Sequence, residues 1–448
     1  MSSSRGAFSS KIGFILAGAG SAIGLGAIWR FPYMTGQNGG ALFVLVFLAC
    51  CFLIGVPVMI AEITLGRHTQ RNPVGTFNLL HGGPLWKAVG GLCVLSGFMI
   101  FSWYSVIAGW VVGYLWEAAR GTFNTVQSAE HVGQFFEAYV SNAPRVLLLH
   151  FIIIAATAGI VLRGVKEGIE TLSKWLMPVL FVLLILLAIR AVTLPGAGAG
   201  LEFYLKPDFS KFSSKMLLAA MGQALFSLSI GMGTMLTYGS YLSKKEDIPA
   251  AAAWVTFFEV LISLIAGFAV LPAVSAMGQS FTDGPRLIFV VLPSIFALMP
   301  GGYLFGVGFY VLVIIAVLTS TVSILEVPVA YLVDERRWSR RSATLMVSAV
   351  SFLLGIPAGL AFGANRFLTR IDFFTIVSTL FGDISLSIGC LFIAIFLGWV
   401  WGVRKGIAEI EGGGHAFRLA PAWSFLIRYV APISILIVFA NVIIGLLR

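Results

Sequence analysis

Few side chains in this sequence could do chemistry, and most of those sit inside long apolar runs. Glu259 lies ten residues into one such run, in WVTFFEVLIS. A bare carboxylate at that depth is too costly, so it must be protonated, paired or bound to a cation. Arg30 closes another run, LAGAGSAIGLGAIWRFP (16–32), where a charge is usually functional. Glu62 and Glu326 lie nearer the ends of their runs, and Asp372 opens one. Hydroxyls gather at Thr319, Ser320, Thr321 and Ser323. They either bond back to their own helix carbonyls or serve a hard cation. Tyr104 is either a core aromatic or a hydroxyl with a partner to find. No nucleophile stands beside a base, and the five His fall at run ends or in loops. Cys50, Cys51, Cys93 and Cys390 read as small hydrophobes, with no disulfide framework and no transition-metal spacing. Covalent catalysis is therefore not expected.

The backbone offers more than the side chains. Gly18, Gly20, Gly24 and Gly26 each cost roughly 1 kcal/mol against Ala in a helix interior. The stretch is either a small-residue packing face or a helix broken midway, and Arg30 favours the break. A second such stretch is GQALFSLSIGMGTMLTYGSY, from Gly222 to Tyr241, where Gly231 and Gly233 flank Met232 and follow Ser227 and Ser229. A broken helix exposes amides that suit a carboxylate and carbonyls that suit a cation. Two interrupted spans in corresponding positions point to an inverted-repeat transporter with its site between them.

These elements need a membrane to hold them. The 448 residues are 58% hydrophobic and 11% charged, with a mean hydropathy of +0.96, which excludes a soluble globule. Apolar runs predict eleven transmembrane helices, at 12–36, 41–65, 88–117, 146–162, 168–190, 214–240, 250–278, 303–333, 343–361, 372–402 and 425–447. The reading is one all-α polytopic transporter domain over 1–448. Spans 1–5 (12–190) and 6–10 (214–402) form a 5+5 inverted repeat with discontinuous helices 1 and 6, and helix 11 is an addition. Long connections fall at 120–144, 194–211 and 279–300, the last half apolar and suited to a re-entrant hairpin. The net charge of +10 speaks for topology rather than nucleic acid: eighteen of the 29 Lys and Arg lie on the N-terminal side of the membrane. That bias predicts a cytoplasmic N-terminus and, with an odd span count, a C-terminus outside. MSSSRGAFSSK shows no cleavage site, so no signal peptide is expected.

At the residues SAIGLG, IWRFPY, Asn38-Gly39-Gly40, GQALFSLSIGMG and LTSTVS the chain resembles the neurotransmitter:sodium symporter family, which has the leucine-transporter fold. The likeness runs from Arg5 through helix 11 and is strongest to the bacterial carriers of multiple hydrophobic amino acids. It implies sodium-coupled symport of neutral, hydrophobic L-amino acids by alternating access in a bacterial plasma membrane. By position, the amides of Ala22, Leu25 and Gly26 with the Tyr104 hydroxyl would hold a substrate carboxylate. Carbonyls of Phe226 and Ser229 would take its ammonium, and Ile100, Phe226, Met232, Ser320 and Ile324 its side chain. A second sodium site would use Gly20, Ile23, Ala316, Thr319 and Ser320. The outer gate would pair Arg30 with Asp372, and the inner gate Arg5 with Asp334, near Tyr241. Gly168 and Pro178 have the spacing by which helix 5 unwinds in that family; otherwise Pro178 is a kink.

One departure stands out. Ala27 replaces an Asn whose amide ligates the first sodium in that family, while helix 7 has gained Glu259. The first sodium site would then be Ala22, Ser227 and Glu259, and the carboxylate would stand in for the chloride of animal relatives beside Ser263, so chloride is not required. The rival is a proton-coupled or single-sodium carrier with Glu259 moving the proton. An ion channel fits less well, because the polar positions cluster at midplane instead of lining a continuous pore. Partners are the amino acid and the bilayer; the sequence is silent on oligomeric state.

Overall fold

The computed structural model describes residues 6–125, 129–278 and 287–447, and among these the chain is helix and turn only. Among the described residues, nine helices are long and apolar enough to cross a membrane. They are α2 (Ala41–Thr69), α3 (Pro84–Ala119), α4 (Ala143–Leu162), α5 (Val165–Val192), α7 (Ile248–Ala276), α8 (Gly302–Glu335), α9 (Arg340–Leu360), α10 (Phe373–Glu411) and α11 (Ala420–Ala440). A bent pair, Lys11–Ala22 and Gly26–Gln37, turns by 52° at its break and makes a tenth span, α1. A second pair, Ser214–Ser227 and Thr234–Gly239, fills the sixth place as α6. Together they fit the eleven expected spans, with α10 reaching further, to Glu411.

Local chemistry sets the starts. Ser10, Ser213 and Asp247 accept from the amides of Gly13, Met216 and Ala250, capping α1, α6 and α7. Pro84 and Pro249 occupy first-turn positions where a missing N–H costs nothing. The breaks are equally local. In α6, Ser229, Gly231 and Gly233 have φ of +52°, +89° and +76°, values a continuing helix cannot hold. In α1 the chain leaves helical geometry at Ile23.

The stretch Leu287–Leu298 is a short helical element packed inward, and the Tyr310 hydroxyl of α8 donates to the Ile288 carbonyl at 2.8 Å. It is too short to span. The first part of the proposed hairpin, 279–286, lies outside the described residues. Gly168 lies in a wide π-wound turn, Val165–Glu170, and Pro178 lies inside an intact helix, Thr171–Val192. The segment is not unwound here. Glu170 ties this end of the helix down, accepting from Ser9 N–H at 2.7 Å and facing the Lys174 ammonium at 2.6 Å.

Candidate functional site

The two breaks face one another, and several of the freed backbone groups bond to side chains. The Leu25 amide donates to the Tyr104 hydroxyl of α3 at 3.1 Å. The Ser21 carbonyl accepts from Ser229 of α6 at 2.9 Å and from Ser320 of α8 at 3.1 Å. Gln223 of α6 donates to the Gly26 carbonyl and to the Ser227 hydroxyl, both at 2.9 Å. On the far side, Glu62 of α2 accepts from the Gly231 amide at 2.6 Å and the Leu236 amide at 3.2 Å. A carboxylate at the start of a half-helix satisfies its open amides and its dipole together. Glu62 thus supports the break rather than merely ending a span.

Between the breaks lies a cavity of about 30 Å³, lined by Ala22, Gly26, Ile100, Tyr104, Phe226, Ser229, Met232, Ser320 and Ile324, with Ser21, Gly24 and Leu386 added. Nine of the ten expected substrate residues therefore line one space, and the tenth, Leu25, bonds to its wall. Gly24 is needed for closeness: a Cβ there would lie 2.5 Å from the Ser320 hydroxyl oxygen and 2.8 Å from that of Tyr104.

The expected cation ligands are gathered in two places. Thr319 donates to the carbonyls of Ile315 at 3.1 Å and Ala316 at 3.0 Å, and Ser320 also reaches the Gly20 carbonyl at 3.3 Å. Hydroxyls and carbonyls of α1 and α8 converge there, with Ile23 at the edge of the break. Beside α7, Glu259 is fully buried and accepts from Ser263 at 2.9 Å. Ser227 approaches the same carboxyl. One oxygen of Glu259 and the amide oxygen of Gln223 are buried with no protein partner. Two orphan oxygens on either side of Ser227 suit a cation or a proton. Ala27 is buried and adds no ligand.

The outer gate needs correction. Arg30 pairs with Asp383, at 3.3 Å, and not with Asp372. Asp372 is an exposed residue at φ +48° in the turn before α10, whereas Asp383 lies in the π-wound segment Thr379–Ile384. The Arg30 guanidinium also sits 4.7 Å from the centre of the Phe226 ring, roofing the cavity. Above it open two chambers of about 190 and 260 Å³. On the other side, Asp334 accepts from the Asn72 backbone and side-chain amides at 3.0 and 3.1 Å. Arg5, its expected partner, lies outside the described residues. Tyr241 donates to Glu326 at 2.7 Å, and Glu326 pairs with Arg340 at 2.5 Å. A chamber of about 410 Å³ opens below Tyr241 and Asp334.

A small space at two helix breaks, with a chamber and a charged pair on either side, defines a class: a multi-pass membrane carrier. The chain belongs to the sodium:neurotransmitter symporter family, whose model matches residues 5–130 and 139–447. It is a transporter of the leucine-transporter fold, and not an enzyme. It is similar to the uncharacterized sodium-dependent transporter YhdH of Bacillus subtilis, 37% identical over 97% of each chain. An uncharacterized sodium-dependent transporter of Haemophilus influenzae is 34% identical over 98% of each. Among solved structures, MhsT in complex with L-phenylalanine superposes with a TM-score of 0.90 at 43% identity, covering 98% of this chain and 100% of that one.

Proposed function

We propose that this protein carries neutral, hydrophobic L-amino acids inward with sodium by alternating access. The observation that supports this most is the cavity at the two breaks, which is lined both by Tyr104, whose hydroxyl accepts from the Leu25 amide, and by the apolar Ile100, Met232 and Ile324. A carboxylate suits the first and an apolar side chain the second. The likeness to MhsT, solved in complex with L-phenylalanine, supports an amino acid of this kind as cargo. Sodium would use the oxygens around Thr319 and Ser320, and a further ion those around Ser227 and Glu259. With Glu259 supplying fixed negative charge, chloride is not required. The N-terminus is cytoplasmic, the C-terminus outside, and the membrane is a bacterial plasma membrane.

A second reading rests on the unpartnered Glu259 oxygen: Glu259 carries a proton in place of one sodium. One set of proteoliposomes tests both. A screen of the twenty amino acids should find sodium-dependent uptake of leucine-sized and aromatic substrates, unchanged when chloride is replaced. Strong uptake without sodium under an imposed proton gradient would overturn the sodium reading. Absence of any amino-acid uptake would overturn the whole proposal.

A further inference from the structure

Ile100, Met232 and Ile324 were expected on the cavity wall; Leu386 was not. It comes from α10, is 2% exposed, and lines both the 30 Å³ cavity and the 260 Å³ outer chamber. Phe226 shares that position. The two side chains together form the partition between cavity and chamber. Phe226 is held from above by Arg30. Leu386 is held from behind by backbone. A Cβ on Gly231 would lie 2.3 Å from the Leu386 carbonyl oxygen, and one on Gly389 would lie 1.9 Å from the Gly231 carbonyl oxygen. With glycine against helix backbone on both sides, α10 rests directly on the break of α6. The Leu386 backbone is therefore fixed against α6, and the length of its side chain sets how far the wall reaches.

We propose that Leu386 is a specificity-determining residue: its side chain sets the longest substrate side chain the cavity accepts, by walling it off from the outer chamber. The inference rests on the amino-acid reading above. Shortening Leu386 joins a space of about 30 Å³ to one of about 260 Å³, and bulky aromatic side chains gain room. Small aliphatic ones gain nothing and lose a contact. A change of one or a few methylenes in an apolar pocket shifts selectivity by roughly 10- to 200-fold.

The test is competition binding on the full-length protein in sodium, with L-leucine, L-phenylalanine and L-tryptophan as probes. Leu386→Ala should raise the tryptophan-to-leucine affinity ratio about tenfold, and Leu386→Phe should lower it. Leu386→Met and Leu386→Val give the same reading in smaller steps should the larger changes impair folding. A mere packing role would weaken all three probes alike, and an unchanged ratio across the binding-competent variants overturns the proposal. Failure of the wild-type protein to bind any of the three would instead overturn the amino-acid reading itself.

Discussion

At the scale of single residues, the outer lock separates what a sequence reveals from what it conceals. Asp372 attracts attention because it opens an apolar run beside Arg30's expected level. Asp383, eleven residues further on, is the partner. The signal was present: a carboxylate inside a span carries the same message that singled out Glu259. What it lacked was register, because the π-wound turn at Thr379–Ile384 shifts which face each later residue presents. Gln223 could likewise have been found, four residues before Ser227 and so on the same helix face. The Arg30–Asp383 side chains are 26% and 36% exposed, so the pair contributes at most about 1 kcal/mol to stability. Its value lies in biasing which conformation is populated. Asp383→Asn should therefore slow uptake several-fold while leaving the melting temperature within a few degrees. Asp372→Asn, at an exposed turn position away from Arg30, should leave uptake within about twofold. Equal impairment by both substitutions would contradict the assignment.

At the scale of elements, the nine long apolar spans and both breaks were readable, because apolar length and clustered glycine report directly on lipid and on helix cost. Contacts between distant elements were not. That α10 seats on the α6 break depends on Gly389 meeting Gly231, 158 residues earlier, and nothing in either local sequence names the other. The contact makes a prediction. Gly389→Ala puts a methyl against the Gly231 carbonyl, where only backbone movement makes room. It should lower stability by about 1–3 kcal/mol, the usual range for overpacking, and weaken sodium-dependent binding. Gly159→Ala, in α4 with nothing within 4 Å, should be neutral or stabilising by up to about 1 kcal/mol. Thermal melting of the purified variants distinguishes them.

At the scale of the whole molecule, the face near Asp334 and Tyr241 is tied together by Arg67, which a sequence reading counts only as a topological charge. Its side chain is fully buried. It donates to the Glu409 carboxylate at 2.9 Å and to the carbonyls of Glu246, Glu409 and Ile410, joining α2, the α6–α7 connection and the end of α10. Lys244 and His68 reach the same carboxylate from outside. A planar guanidinium serves several acceptors at once where an ammonium cannot. Removing one partner of a buried pair costs about 3–5 kcal/mol. Arg67→Lys should lower the melting temperature by many degrees and with it the yield of binding-competent protein. Lys244→Gln, at the exposed rim, should change little. Similar melting of the two variants would show that Arg67 is not the tie.

The 30 Å³ space between the breaks has room for about two waters, at ~10–15 Å³ of such volume each. No amino acid fits until Phe226, Leu386 and their neighbours part. A space this narrow, walled by Phe226 and Leu386 on the side of the larger chamber, gives dissolved ions no ready-made corridor through the protein.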